Sequence, residues 1–592
     1  MKTLKLAFLT FAIFLGPAPL IAQSPQSNSA IKGSWLGVIA APGDVKLRLR
    51  LKITVAADGS LTALLDSPDQ NSSNLTVDLI TFQNGVLRFE MKALGIGYKG
   101  SILREDEIVG TFNQGWSTRL IFRKEGVALP NATIKRGRVE LKPCNDPFLT
   151  SEVLCGKYVV FEDRAAQTGR RISLNLVLLP AISPKPAPDP VFYMAGGPGG
   201  AATSYAKDDF MNGLRRNRDV VLVDQRGTGQ SNLLDCHSLG SYEDMRGYFG
   251  EVMPLGWIRA CREQLEKIAD LKLYTTTIAM DDIDEVRSAL GYDRINVYGG
   301  SYGSTTTLAY LRQHPEHVRT ISVFGVAPFS VKFPLSFSRG VQEAVDRMLA
   351  DCAADPACHA AYPDLVNEFK AVMDQFDKGS VEVAALNPFT RSEQQVTVTR
   401  DAFVDSIRQV LYVPQVAAAL PALIHLGAKG NLGPFVTNAF PVVAAIGNRI
   451  ARGMQFSVIC GENVAFITPE EIKTTSANSF YGDARVRPVM RACNEWPRAK
   501  VDSSFLDPVK SDKPALVIAG QLDPVTPPSL AEQVARTLSH GRLVIVPNAT
   551  HTSYDCVENL VADFIDKGTT EGLDLSCLNQ IKRPPFLVVK NQ

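Results

Sequence analysis

Ile295-Asn296-Val297-Tyr298-Gly299-Gly300-Ser301-Tyr302-Gly303-Ser304 is the stretch that decides the fold. Ile295–Tyr298 is short, mostly apolar and β-favouring, and reads as a buried strand. Gly-x-Ser-x-Gly follows at once, ahead of a run that can be helical. A serine on a tight strand-to-helix turn needs small neighbours, because the backbone doubles back on itself. Such a turn lifts the hydroxyl above the sheet edge. It also points the next backbone N–H, that of Tyr302, toward an oxyanion developing on a carbonyl attacked by Ser301.

Working outward, apolar runs recur at 191–194, 220–223, 321–324, 515–519 and 543–546, and read as further buried parallel strands. Helical stretches alternate with them. One is 279–290, where Asp281 and Asp282 suit a helix start and Gly291 a stop. This is the pattern of a parallel sheet covered on both faces. After the 191–194 strand comes Gly196-Gly197-Pro198-Gly199-Gly200. Glycines there let backbone amides approach a carbonyl, so Gly197 is the second candidate oxyanion donor. Asp224-Gln225-Arg226-Gly227-Thr228-Gly229-Gln230-Ser231 follows the next strand and reads as a supporting loop without a catalytic atom.

A serine so placed needs a base and an acid, and in sheets of this kind they follow in the order serine, acid, histidine. His551 follows the last strand by a short loop, whereas His540 precedes that strand, at its wrong end. His314 and His317 fall just past the elbow helix and read as surface residues, and His359 and His425 belong to an insertion. Asp523 closes the preceding strand, 28 residues before His551. The expected triad is Ser301 as nucleophile, His551 as general base and Asp523 as the acid that orients it.

These motifs (AGGPGG at 195–200, DQRGTGQS at 224–231, GGSYGS at 299–304, GQLDPVTP at 520–527 and NATH at 548–551) resemble those of the prolyl and tripeptidyl aminopeptidase family of α/β-hydrolases. The resemblance covers roughly 150–580. It implies the α/β-hydrolase fold with a helical cap, an exopeptidase acting at peptide N-termini, and no metal or cofactor. Ala195 departs from the His or Pro usual before the paired glycines, which leaves a backbone oxyanion role intact but loosens the tie to substrate. The resemblance also makes Glu462, in Cys460-Gly461-Glu462, the candidate acceptor of a substrate α-ammonium, beside a surface or salt-bridged role. A Cys460–Cys493 bridge would hold it.

The rest of the chain frames this core. Lys2 and Lys5, an apolar run from Leu6 to Leu15, then Gly16-Pro17 and small residues to Ala22 read as a cleaved export leader at 1–22. Residues 33–124 read as all-β, a small barrel or sandwich: 46–55 alternates polar and apolar, and Asp58-Gly59 and Asn84-Gly85 are hairpin turns. This part resembles, in pattern, a lipocalin-like β-domain. The α/β-hydrolase domain is expected at 140–334 and 511–592, with a helix-rich cap at 335–510 that includes 339–350 and 402–411. Ten cysteines fall as five neighbouring couples and suit disulfides in an exported chain, secreted or periplasmic. The absence of C-x-x-C, and of histidines clustered with cysteines, speaks against zinc.

With 62 basic and 61 acidic side chains, the charge balance suggests no nucleic-acid partner, and no later stretch is expected to span a bilayer. Oligomeric state stays open. The expected function is hydrolysis of a peptide amide near a free N-terminus, with peptide as partner. A carboxylic-ester hydrolase acting on a small ester is the nearest alternative, and a non-catalytic binding protein of the same fold is a third.

Overall fold

The computed structural model describes residues 28–41, 45–127, 132–236, 238–552 and 554–589. The leader expected at 1–22 lies outside these residues. The chain divides into two compact units, Met1–Ala128 and Leu129–Gln592.

The first unit is one antiparallel sheet of nine strands, from Gly33–Ala41 to Ser117–Lys124. Gly33–Ala41 pairs with its successor Val45–Val55 on one side and with the last strand on the other, joining two meanders into a single half-barrel. Strand alternation builds its core: Leu49, Leu51 and Ile53 turn inward while the lysines and arginines between them stay wetter. Trp35 is fully buried and donates its indole N–H to the Ile31 carbonyl at 2.8 Å, so its one polar atom is satisfied. One continuous sheet settles the choice between barrel and sandwich against the sandwich.

The second unit is built on a ten-stranded sheet. Its first four strands, ending with Leu154–Asp163 and Thr168–Leu179, are antiparallel to their neighbours. From Val220–Val223 onward every pair is parallel: Val220–Val223, Val191–Met194, Ile295–Gly300, Val318–Phe324, Ala515–Gly520 and Gly541–Val546 lie side by side in that order. The reversal that places Val191–Met194 inside Val220–Val223 puts the Gly-rich loop next to the elbow strand. Active sites of open α/β sheets lie at such switch points, beyond the carboxyl ends of the strands.

The helix Thr276–Leu290 starts three residues earlier than expected. Thr275 caps it, its hydroxyl accepting the Ile278 N–H, so Asp281 and Asp282 fall in the second turn rather than at the start. Gly291 ends it at φ +84°, as read.

Between Val318–Phe324 and Ala515–Gly520 the chain leaves the sheet to form an insertion with a separate apolar core, to which Met245 and Phe249 also contribute. It is mostly helical, including Phe337–Ala354 and Arg400–Val410, but it also carries a hairpin, Val381–Leu386 with Glu393–Val398, that the sequence reading did not anticipate. Five disulfides join the neighbouring cysteines: Cys144–Cys155, Cys236–Cys261, Cys352–Cys358, Cys460–Cys493 and Cys556–Cys577. Such a set belongs to an oxidising, non-cytoplasmic compartment. Among the described residues no single helix is long and apolar enough to cross a membrane.

Candidate active site

Ser301 sits between the strand Ile295–Gly300 and the helix Tyr302–Gln313 at φ +58°, ψ −127°. A non-glycine residue rarely occupies that region, and strain of this kind persists only where the surroundings enforce it. Here they do. The Ser301 N–H donates to the Phe324 carbonyl at 2.9 Å, and its own carbonyl accepts from the Ser304 N–H and hydroxyl. Gly303 packs so closely under the neighbouring strand that an added Cβ would lie 2.1 Å from the Met194 carbonyl oxygen. The elbow therefore requires its glycines for close approach, as the motif implies.

Asp523 and His551 lie on the loops that leave two adjacent strands, Ala515–Gly520 and Gly541–Val546. His551 Nδ1 and Asp523 Oδ2 are 2.6 Å apart, and the aspartate side chain is fully buried. Asp523 is tied down further by the Val525 and Thr526 N–H groups, each at 2.8 Å, and by the Thr526 hydroxyl at 2.7 Å. The Thr526 oxygen also stands 3.1 Å from His551 Nδ1. An ionised acceptor at Nδ1 fixes the proton on that nitrogen and leaves Nε2 as the basic atom. The imidazole packs on Gly325, whose added Cβ would come 3.1 Å from Cε1. Gly325 follows Phe324, the residue that receives the Ser301 N–H, so ring and nucleophile share one end of the sheet.

Gly196 lies against the serine: a Cβ there would sit 3.3 Å from Ser301 Cβ and 3.9 Å from Oγ. The next residue, Gly197, has φ +134°, a backbone that side chains rarely adopt. The two candidate oxyanion donors, the N–H groups of Gly197 and Tyr302, thus flank the nucleophile from the Gly-rich loop and from the first turn of the elbow helix.

Glu462 is placed differently from the sequence expectation. It ends the helix Arg452–Glu462, is 2% exposed, and holds the Thr276 N–H at 2.6 Å and the Thr276 hydroxyl at 2.5 Å. The Thr276 hydroxyl lies 2.7 Å from the Tyr302 phenol. Burial pushes the Glu462 carboxyl up to about 7, against the pull of the Thr276 hydrogen bonds. Burial, and then the nearby Glu462 charge, raise the Tyr302 phenol as well. Glu462 is therefore a buried tether between three elements, each of its oxygens already holding one donor of Thr276.

Other residues at the site were not legible in the sequence. Tyr412, from the insertion, sets its ring 4.9 Å from the His551 imidazole. Burial raises its phenol to about 12, and that oxygen accepts from Arg408 at 2.6 Å. Thr526 had a local signal, since Asp-x-x-Thr suits a turn in which the threonine returns to the aspartate. Tyr412 had none. The loop Asp224–Ser231 is structural, as read: Asp224 accepts from Asn175, Thr203 and Gln230, and Arg226 is fully buried against Asp282.

His314 and His317 are half-buried rather than at the surface, and with Asp284 they bring ligand atoms within 4.8 Å of one another. Arg287 and Tyr310 already bond Asp284, and Arg287 reaches His317 Nε2 at 3.3 Å. A metal ion there would face a resident guanidinium.

Residues 189–369 match the family model described as alpha/beta hydrolase fold, and residues 478–577 the one described as TAP-like protein. Serine protease Hip1 of Mycobacterium tuberculosis is 23% identical over 490 residues, covering 74% of this chain and 91% of that protein. Proline iminopeptidase of Neisseria meningitidis is 32% identical over 137 residues, 23% of this chain and 32% of that one. A crystal structure of proline iminopeptidase from Mycobacterium smegmatis aligns with 70% of this chain and 98% of its own at 16% identity, with a TM-score of 0.33.

Proposed function

From an α/β-hydrolase related to the TAP-like proteins, a serine hydrolase with serine peptidases among its relatives, we propose an exported aminopeptidase that releases residues from peptide N-termini. Ser301 Oγ attacks the scissile carbonyl while His551 Nε2 takes its proton. Asp523 holds the imidazole and stabilises the imidazolium, and the N–H groups of Gly197 and Tyr302 receive the oxyanion. His551 returns the proton to the departing amine. Water, activated by the same histidine, then releases the acyl group from Ser301. The leader at 1–22 and the five disulfides support a secreted or periplasmic address. The domains proposed are those read from the sequence, with the insertion at 335–510 as a cap over the site.

The observation that carries this reading is the 2.6 Å pairing of His551 with a fully buried Asp523, on adjacent strand-end loops beside a serine held at positive φ. One observation favours the ester-hydrolase alternative: the cap acid Glu462 is buried and each of its oxygens already accepts from Thr276, which makes it a poorer partner for a substrate ammonium. Chromogenic aminoacyl and peptidyl amides assayed beside short-chain esters separate the two. An aminopeptidase cleaves unblocked amides and spares their N-acetylated forms, whereas ester turnover without amide turnover would establish the alternative. Ser301→Ala is expected to abolish turnover and fluorophosphonate labelling together, with a loss of several orders of magnitude. Stoichiometric labelling of that variant would remove Ser301 from the mechanism.

A further inference from the structure

On the cap side of the site one arginine is left without a carboxylate at ion-pair distance among the described residues. Arg408 and Asp405 pair at 2.8 Å, each 7% exposed, and Asp405 also accepts from the Tyr481 hydroxyl at 2.7 Å, from Gln409 at 3.1 Å and from Arg485 at 3.4 Å. Asp405 is thereby saturated: burial pushes its carboxyl up, but Arg408 and Arg485 outweigh it and hold the group well below the usual carboxylate range. The third cation is Arg452, in the first turn of the helix Arg452–Glu462. Its backbone N–H donates to Asp235 at 2.9 Å, but its guanidinium has a single hydrogen bond, to the neutral Gln455 at 2.7 Å. Among the described residues no carboxylate lies within ion-pair distance of that guanidinium, although the side chain is only half exposed to water at most. Burial, then repulsion from Arg485, bring it down to about 10, so at neutral pH it keeps its charge in a setting that disfavours it.

Arg452 also stands next to the chemistry. The preceding residue, Ala451, donates its N–H to the Gly199 carbonyl at 3.0 Å, and Ile450 bridges Gly200, so this segment is laid directly on the Gly-rich loop. Arg408 and Arg485 share the Asp405 cluster, and Arg408 bonds Tyr412, whose ring lies tilted beside that of His551. The fields of Arg485, Asp235, Asp405 and Arg408 all reach Arg452, the two aspartates opposing the two arginines. Arg452, Arg408 and Arg485 thus share Asp405 and Asp235, with Asp401 beyond Asp405; Arg452 follows the segment laid on the Gly-rich loop, and Arg408 holds the tyrosine beside the base. The Arg452 guanidinium is partly buried and has no carboxylate partner among the described residues, and its fork of donors matches a carboxylate. An ammonium in this position would be repelled.

We propose that Arg452, with Arg485 behind it, forms an anion subsite that binds a carboxylate of the substrate, and that the preferred substrates are short peptides bearing one. The proposal builds on the hydrolase reading above and deepens it. The carboxylate has two possible sources, a free peptide C-terminus or an acidic side chain.

The test uses protection, which needs no peptide turnover. Ala-Ala-Ala as free acid, Ala-Ala-Ala-amide and Ala-Glu-Ala-amide compete with a fluorophosphonate for Ser301 in the full chain. The free acid, the glutamyl amide or both are expected to protect at concentrations at least tenfold lower than the neutral amide, and which one does so identifies the source. That ratio should fall to near one in Arg452→Gln, be kept in part by Arg452→Lys, and shrink with added salt. Equal protection by charged and neutral peptides in the wild-type protein overturns the subsite, as does a ratio that survives Arg452→Gln, or no protection by any of the three. Should Arg452→Gln fail to label at all, the wild-type ratio and the lysine variant decide. Peptides that protect selectively without being cleaved would refute the aminopeptidase reading and leave the subsite standing, and cleavage without selectivity would do the reverse.

Discussion

Glu462 shows how one residue can join distant parts of the chain, since its carboxylate fastens the end of its own helix to Thr276 and, through that hydroxyl, to the first residue after the nucleophile. The arrangement has a thermodynamic signature. The folded protein keeps the Glu462 proton up to a pH of about 7, while the unfolded chain releases it near the ordinary 4.5. A raised acid contributes stability that is complete below the unfolded value and is lost as pH rises through the folded one. The difference corresponds to about 3 kcal/mol at roughly 1.4 kcal/mol per pH unit. Glu462→Gln keeps both contacts to Thr276 in reach but cannot ionise. Urea unfolding at pH 4.5 and pH 8 should therefore show the wild type losing about 3 kcal/mol more than the variant between the two. Parallel losses would mean that the carboxylate is solvated in a way its burial does not suggest.

At the scale of elements, the loop 224–231 and the helix Thr276–Leu290 form the wall behind the elbow, and a single ion pair fastens them. Arg226 has no exposed side-chain surface, grips Asp282 at 2.7 and 3.0 Å, and donates to the carbonyls of Glu162 and Leu273 at 2.8 Å each. Removing one partner of such a pair strands the other, so Asp282→Ala is expected to lower stability by about 3–5 kcal/mol in denaturant unfolding. A loss below about 1 kcal/mol would mean that the carbonyls of Phe161, Glu162 and Leu273 suffice to hold the Arg226 guanidinium, and Glu285 that of Arg164. This same helix shows where sequence reading reaches and where it stops. Its C-terminus was legible because Gly291 carries a local backbone requirement. Its start was not, because Asp282 resembles a first-turn acid and serves instead a guanidinium 56 residues upstream. The site divides the same way. Ser301, Asp523 and His551 stand on strand-end loops whose chemistry is written within a few residues of each. Tyr412 and Arg452 reach the site through the packing of an insertion, which no local pattern encodes.

At the scale of the whole molecule, the disulfides and the division into two units make separate demands. All ten cysteines are paired, each bridge closing a stretch of 6 to 33 residues. Thiol titration of the denatured, unreduced mature protein should accordingly find no free thiol, and several reactive thiols would contradict both the pairing and the compartment. The β-domain raises a different question. It folds around Trp35, Phe89, Phe122 and their neighbours, a core that draws no residue from beyond Phe122. The second unit buries its own clusters, all of them starting at Val139 or later, and its sheet begins at Ile134. Every residue assigned here to the triad, the oxyanion donors, the Arg452 subsite and their supports likewise lies in that second unit. A chain that begins at residue 132 behind an export leader should then fold and react with a fluorophosphonate at Ser301 within about threefold of the full-length rate, less than 1 kcal/mol in barrier. Retention of that rate would leave the half-barrel free for a task other than catalysis. A fall of tenfold or more, with the truncated chain still folded by circular dichroism, would instead make the β-domain part of the site's working surroundings.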